Sequence, residues 1–508
     1  MSNGDADLKP VIGDWLAARA DVNGGALALH DLATGRAHSY RDFLERSQRI
    51  AGVLHATYAI SPGDRVMVLA HNSTDLYEIL MACWRIGAVY MPVNWRLAKA
   101  EISDIAADAT PRVIIADTEF AALVDGLDIP QWMRGDGADD PFETELAAAD
   151  PVTSFFDATP DTMMTLLYTS GTTGEPKGVI GTWRMQAMAV RQAAHVLLGE
   201  RTNTLTAAPM FHTAGLNSFS LPSFYYGGAV HIMRRWDAPL ALKCLSDPDI
   251  GITHTLGVPV QFQQMAALPE FESARFPTVN RAGVGAAPVT EDLLKTFQDK
   301  GLMLCNSYGM TEVFGVATLP PERAQDKLGA VGWPVIGSEV RIADDSDTPV
   351  ANGVMGEIQI KSEGVTPGYW NAPEQSAASR TADGWHKTGD VGRLDDDGAL
   401  YVVDRKKDMF ISGGENVYPA EIENVLADWP EVREAAVIGV PDETWGEVGH
   451  AIIVLTTGAA LDLHEVQQRC TERLARFKVP KHVSFIDALP RSAQGKVLKT
   501  ELRDRYAG

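Results

Sequence analysis

The stretch LLYTSGTTGEPKGVIG, from Leu166 to Gly181, gathers four glycines, five hydroxyl side chains and one lysine behind a short apolar run. Glycine lets a backbone approach an anion closely, and each hydroxyl, N–H or ammonium can donate to an anionic oxygen. The composition therefore suits a loop wrapped around phosphate, with Thr169, Ser170, Thr172, Thr173 and Lys177 as side-chain donors and Gly171 and Gly174 as the places of close approach. It is not a Walker loop. Gly171 is followed five places later by Pro176 instead of glycine, and Lys177 is followed by glycine instead of Ser or Thr. Glycine and hydroxyl clusters also occur in ordinary surface loops, so the chemistry must be sought in its companions.

Four further stretches follow in order: YGMTE (Tyr308 to Glu312), HKTGD (His386 to Asp390), DRKKDMFISGGENVYPAEIE beginning at Asp404, and PRSAQGK (Pro490 to Lys496). Together with the opening loop they resemble the adenylate-forming superfamily of acyl-CoA synthetases, peptide-synthetase adenylation domains and beetle luciferases. The similarity spans essentially the whole chain. It implies ATP, Mg²⁺ and CoA as co-reactants, because a carboxylate becomes a usable electrophile once it is joined to AMP.

The resemblance also distributes roles. The Leu166–Gly181 loop covers the β- and γ-phosphates. Glu312 becomes the Mg²⁺ ligand, Thr311 reaches the α-phosphate, and Tyr308 and Gly309 face the adenine. Asn306 offers both a donor and an acceptor to the adenine edge. Gly285, Ala286 and Ala287 of VGAAP match a second adenine-side turn, where Val284 replaces a frequent glycine in a change expected to bear on the acyl pocket. Asp390 would hold the ribose, with Arg405 beside it. Lys496 is implied as the mobile catalytic lysine, and Lys499, three residues on, reads as a helix-surface charge. Lys407 is the implied hinge. Gly413 and Gly414 would admit a thin pantetheine arm, and Arg96, Trp445 and Phe477 align with CoA contacts. His212 in PMFHTAG is placed at the acyl pocket. The aspartate by which amino-acid-activating relatives hold an ammonium is not found there, so an amino-acid substrate is disfavoured. The whole-chain likeness leans toward the fatty-acyl-CoA branch, with aryl acids kept open.

These residues need a scaffold, and the pattern around them is α/β. DRVMVLA (Asp64 to Ala70), AVYMPV and PRVIIAD read as buried strands. Between them STDLYEILMACWRIG sets Leu76, Ile79, Leu80, Cys83 and Trp84 on one helical face, with Ser73 or Thr74 as cap and Gly87 as stop. Strands separated by helices imply parallel βαβ units. DDDG at Asp395 to Gly398 suits a hairpin turn. Near Asp404 the pattern changes. EAAVIGV, HAIIVLT, HVSFI and a helix carrying Val466, Cys470, Leu474 and Phe477 on one face form a separate core, with Asp462 and Glu465 as a start box. The expected division is a large N-terminal domain with mostly parallel sheets over residues 1–404, a hinge at 405–407 and a small mobile α+β domain over 408–508.

Bulk properties narrow the partners. Among 508 residues, 44 are basic and 67 acidic, giving a formal charge of −23. Nucleic acids and anionic membranes are held largely by Lys and Arg, so neither is expected. The four cysteines form no C-x-x-C pair. The N-terminus lacks the regions of a signal peptide, and no apolar run reaches the ~18 residues of a membrane helix. A cytoplasmic enzyme acting on a small-molecule carboxylic acid is the expectation, and a homodimer stays compatible with it. One rival passes the acyl group to a carrier-protein phosphopantetheine instead of CoA. Another is a non-catalytic nucleotide-binding homologue, disfavoured because Glu312, Asp390 and Lys496 are all present.

Overall fold

Aliphatic runs flanked by helices pair into two mainly parallel sheets in the computed structural model, which describes residues 13–135, 140–169, 176–196, 201–285, 289–412, 415–491 and 496–506. The first sheet has six strands, in the order Gln131–Arg134, Val113–Asp117, Arg65–Leu69, Val89–Pro92, Met163–Thr169 and Lys177–Thr182. Five run parallel and the last turns back as a hairpin. All residues of Val113–Asp117 are buried, as expected for a strand covered on both faces. The second sheet has nine strands, with Leu304–Tyr308, Arg281–Gly285, His254–Gly257, Asn203–Thr206, Ala229–Ile232 and Leu27–Asp31 parallel along its middle.

Helix Thr74–Arg85 departs from its expected single apolar face: every one of its 12 residues is buried. It is enclosed between the two sheets. Its Leu76, Ile79, Leu80, Cys83 and Trp84 share one core with Val66 and Val68 of the first sheet and Leu29, Val230 and Ile232 of the second. Its charged members are paired inside, whereas Thr74 Oγ1 and Arg85 Nε are buried without a hydrogen-bond partner. Asp75 takes Arg36, Arg46 and Arg134, Glu78 takes His38 and Arg46, and Arg85 pairs with Asp14. Ser73 precedes the helix without a side-chain cap bond, and Gly87 ends it at φ +73°.

A four-stranded antiparallel sheet follows: Ser338–Ala343, Gly356–Ser362, His386–Leu394 and Leu400–Arg405. The DDDG segment is the turn between its last two strands. Beyond it, Phe410–Ser412, Glu415–Val417, Val432–Asp442, Gly446–Leu455 and His482–Phe485 build a separate sheet. Asp462 and Glu465 form the expected capping box of helix Leu463–Thr471. That helix is shorter than expected. It ends before Leu474 and Phe477, which still pack on the same small core through the turn and the short 3-10 helix Arg476–Lys478 that follow. All four cysteines are buried free thiols. No helix among the described residues is long and apolar enough to cross a membrane.

Candidate active site

Asp390 and Arg405 are separate in the chain but directly opposed in the hairpin, Asp390↔Arg405. Arg405 Nε reaches Asp390 Oδ1 at 2.7 Å, and the Tyr308 hydroxyl donates to Asp390 Oδ2 at 2.5 Å. Asp390 is 3% exposed. Burial raises its pKa, and Arg405, the Tyr308 hydrogen bond and Lys496 oppose that rise. Tyr308 is held protonated, its pKa pushed well up by burial and then by the Asp390 charge. An ionised carboxylate offers about four lone-pair sites, so these two partners leave acceptor capacity for vicinal hydroxyls. Asn306, two residues before Tyr308 in the same strand, donates through Nδ2 to Ala330 O at 3.0 Å. Its Oδ1 is buried without a hydrogen-bond partner, an acceptor suited to an amino group such as that of adenine.

The turn after this strand is tight. A Cβ on Gly309 would lie 1.9 Å from the Phe314 carbonyl oxygen, and Phe314 itself sits at φ +64°, uncommon for a bulky residue. The turn buries Thr311 and Glu312. Tyr369 O–H donates to Glu312 Oε1 at 2.9 Å, and Lys177 Nζ lies 5.6 Å from the centre of the Tyr369 ring. Sequence reasoning missed Tyr369, which stands in none of the quoted motifs. It is placed by backbone pairing: Val179 bridges to Tyr369, and Trp370 N–H donates to Gly178 O at 2.7 Å. Thr169 and Lys177 face one another across the hairpin.

Lys496 approaches from the small C-terminal part. It keeps accessible surface, yet protein crowds its ammonium. Burial lowers its pKa, Arg405 and Lys407 lower it further, and Asp390 and Glu312 oppose them. The same lysine acts on His212, whose pKa is pushed down to about 4, first by burial and then by Lys496. Ala214 N–H donates to His212 Nδ1 at 3.2 Å, so the neutral ring carries its proton on Nε2. Asp390, Glu312 and His212 thus each lie within electrostatic reach of Lys496, although the four residues come from distant stretches.

Lys407 stands in the turn between two anchored segments. Arg405 is tied to Asp390, and Lys406 Nζ reaches Asp345 at 2.9 Å and Glu357 at 3.1 Å. On the other side Asp408 takes Arg503 at 2.7 Å. The CoA candidates occupy three separate elements. Arg96 lies 4.6 Å from the Trp95 ring centre and 5.8 Å from that of Phe211. Trp445 is half-exposed at a hairpin tip of the small part, and Phe477 packs on the small core. Ser170, Gly171, Thr172, Thr173, Gly174, Ala286, Ala287, Gly413 and Gly414 lie outside the described residues. Gly285 pairs with Ser307, and a Cβ there would lie 2.4 Å from the Ser307 carbonyl oxygen.

Two expectations need correction. Val284 packs in the core formed with Leu205, Phe262 and Phe297, on the helix-covered side of its strand, so its replacement of glycine fills a core position. Lys499 is not a solvated surface charge. Its Nζ pairs with Glu423 Oε1 at 2.8 Å, with side chains 14% and 19% exposed.

Comparison with known proteins gives the family of the chain. The family of AMP-binding enzymes matches residues 16–370, and the AMP-binding enzyme C-terminal domain matches residues 421–496. A feruloyl-CoA synthase of Amycolatopsis is 38% identical over 97% of this chain and 99% of its own length. The long-chain-fatty-acid–CoA ligase FadD13 of Mycobacterium tuberculosis is 35% identical over 98% of both chains. The crystal structure of ATP-bound MatB from Rhodopseudomonas palustris superposes with a TM-score of 0.90 at 30% identity, over 97% of this chain and 99% of that one. The chain belongs to the AMP-binding enzyme family, within the adenylate-forming superfamily, and is an AMP-forming acid–thiol ligase.

Proposed function

We propose that this enzyme activates a hydrophobic carboxylic acid as acyl-AMP and transfers the acyl group to CoA. The observation that carries the reading is the convergence of the Lys496 ammonium with Asp390, Glu312 and His212. The acid's carboxylate oxygen attacks the α-phosphorus of ATP and pyrophosphate leaves. The CoA sulfur then attacks the acyl carbon and AMP leaves with the shared oxygen. Lys496 would bridge the carboxylate and α-phosphate oxygens in the first step, and Thr311 would donate to the α-phosphate. The Leu166–Gly181 loop, with Lys177, would cover the outgoing phosphates. Asp390 and Arg405 would hold the ribose, while Tyr308, Asn306 and the 285–287 turn would hold the adenine. Neutral His212, flanked by the buried Met210, Phe211 and Leu216, would line an apolar acyl pocket, which favours fatty or other hydrophobic acids.

Glu312 suits a divalent cation that arrives with the nucleotide. Tyr369 engages only its Oε1, and no cluster of three or more ligating side chains occurs among the described residues. Mg²⁺ commonly takes one or two carboxylates beside phosphate and water. Bound there it would neutralise charge on the leaving phosphates. Glu312→Gln should keep the fold, being nearly isosteric, while adenylation falls and the Mg²⁺ concentration for half-maximal rate rises. Unchanged turnover at limiting Mg²⁺ would count against Glu312 as ligand.

The small domain, from residue 408 onward, would turn about Lys407 after adenylation. Lys496 would then withdraw, and the face carrying Gly413 and Gly414 would admit the pantetheine arm, with Arg96, Trp445 and Phe477 as CoA contacts. The buried free thiols suit a reducing compartment such as the cytoplasm. Acid-dependent ATP–pyrophosphate exchange across aliphatic, aromatic and polycyclic acids tests the reading, followed by transfer to free CoA or to a carrier protein. Exchange restricted to polar acids, or transfer to the carrier alone, would overturn it.

A further inference from the structure

Asp404 lies just before the hinge, in the strand Leu400–Arg405, paired in register with Val391. Its carboxylate nevertheless reaches across the hinge. Oδ2 accepts from Ala420 N–H at 2.8 Å, in the first turn of helix Pro419–Ala427. Oδ1 accepts from Arg405 N–H at 2.7 Å on its own side. Lys499 adds its charge from the terminal helix Lys499–Tyr506, acting on Asp404 as well as pairing with Glu423. Lys499 follows Lys496 by three residues, and Leu498 N–H donates to Pro490 O at 2.8 Å, closing the neck of the loop that carries Lys496.

These contacts divide into two kinds. Lys499–Glu423 and Arg503–Asp408 join groups beyond the hinge, so they travel with the small domain as it turns. The hydrogen bond from Ala420 to Asp404, and the attraction between Lys499 and Asp404, cross the hinge and must be given up on rotation. An anionic acceptor near a helix N-terminus is also favoured by the dipole there.

We infer that Asp404 is a positioning residue, a clasp that holds the small domain in the orientation presenting Lys496 and that must open before thiol transfer. The inference rests on the rotating-domain reading given above. Because the clasp stabilises one orientation only, its loss shifts the balance between two orientations and leaves the chemistry of each in place.

The test is single-turnover measurement of each half-reaction in the full-length enzyme with Asp404→Ala, beside Lys407→Pro. Asp404→Ala should slow acyl-AMP formation on the order of tenfold, as expected for loss of a charge-assisted hydrogen bond. Thiolysis of supplied acyl-AMP should be unchanged or faster. Asp404→Asn keeps the volume but loses the charge, and should shift both steps the same way by less; it carries the test if Asp404→Ala does not fold. Equal slowing of both steps, or no change in either, overturns the clasp. If Lys407→Pro separates the two steps and neither Asp404 variant does, the clasp alone falls. If Lys407→Pro does not separate them, the rotating-domain reading falls and takes the clasp with it.

Discussion

Lys496→Ala is expected to slow single-turnover synthesis of acyl-AMP from acid and ATP by about 10²–10³-fold, the usual loss when one preorganised donor to developing charge is removed. The physical reason lies in where the ammonium sits. It is crowded by protein and flanked by the cations Arg405 and Lys407, so its charge is costly to keep, and Asp390 and Glu312 compensate in part. An ammonium held in such surroundings gains most when carboxylate and phosphate oxygens gather in front of it. The same substitution should spare thiolysis of acyl-AMP supplied ready-made, because Lys496 would have withdrawn by then. Loss of both half-reactions in equal measure would make Lys496 a structural residue.

Lys407→Pro is expected to do the reverse. Proline fixes φ near −65° and removes the backbone N–H. Arg405 and Lys406 are bound to carboxylates of the large part, and Asp408 is bound to Arg503 of the terminal helix. Lys407 is left between the two anchorages, where a rotation can be absorbed. With that rotation denied, acyl-AMP should form and accumulate while transfer to CoA stalls by a hundredfold or more, by analogy with other losses of a required catalytic arrangement. Quenched reactions with limiting ATP, resolved for acyl-AMP and acyl-CoA, check this. Normal acyl-CoA formation in Lys407→Pro would mean that both steps proceed in one orientation.

How far the chain announced this arrangement depends on distance along it. The Asp462 and Glu465 start box and the turn at Asp395 to Gly398 are local, and their residue types carry their own geometry. Asp390 and Arg405 were each legible as motif residues, and the hairpin turn between them brings them face to face. Tyr369 was not legible, since its contact with Glu312 depends on a short pairing with the strand Lys177–Thr182. The surroundings of Val284 are not legible, because a strand buried on both sides carries no alternation to tell its faces apart. Lys499 is hidden for a related reason: a charged residue reads as solvated until a partner such as Glu423 is brought to it from 76 positions away. Helix Thr74–Arg85 exceeded its expected face because ion pairs from four other segments allow its charged residues to be buried. Helix Leu463–Thr471 fell short of its pattern. Its apolar spacing continues to Phe477 without a glycine or proline to mark the end, and Leu474 and Phe477 reach the same core from beyond the α-helix, Phe477 within the short 3-10 helix Arg476–Lys478.

The central claim is that the acid's own oxygen attacks the α-phosphorus of ATP in the cleft between Asp390, Glu312 and Lys496. Following ¹⁸O from a labelled carboxylate tests it most directly. With the acid that supports the fastest pyrophosphate exchange, and with CoA present, each turnover should leave one labelled oxygen in the phosphate of AMP and none in pyrophosphate. Label in inorganic phosphate with ADP as co-product, or unlabelled AMP beside newly formed acyl-CoA, would contradict the account.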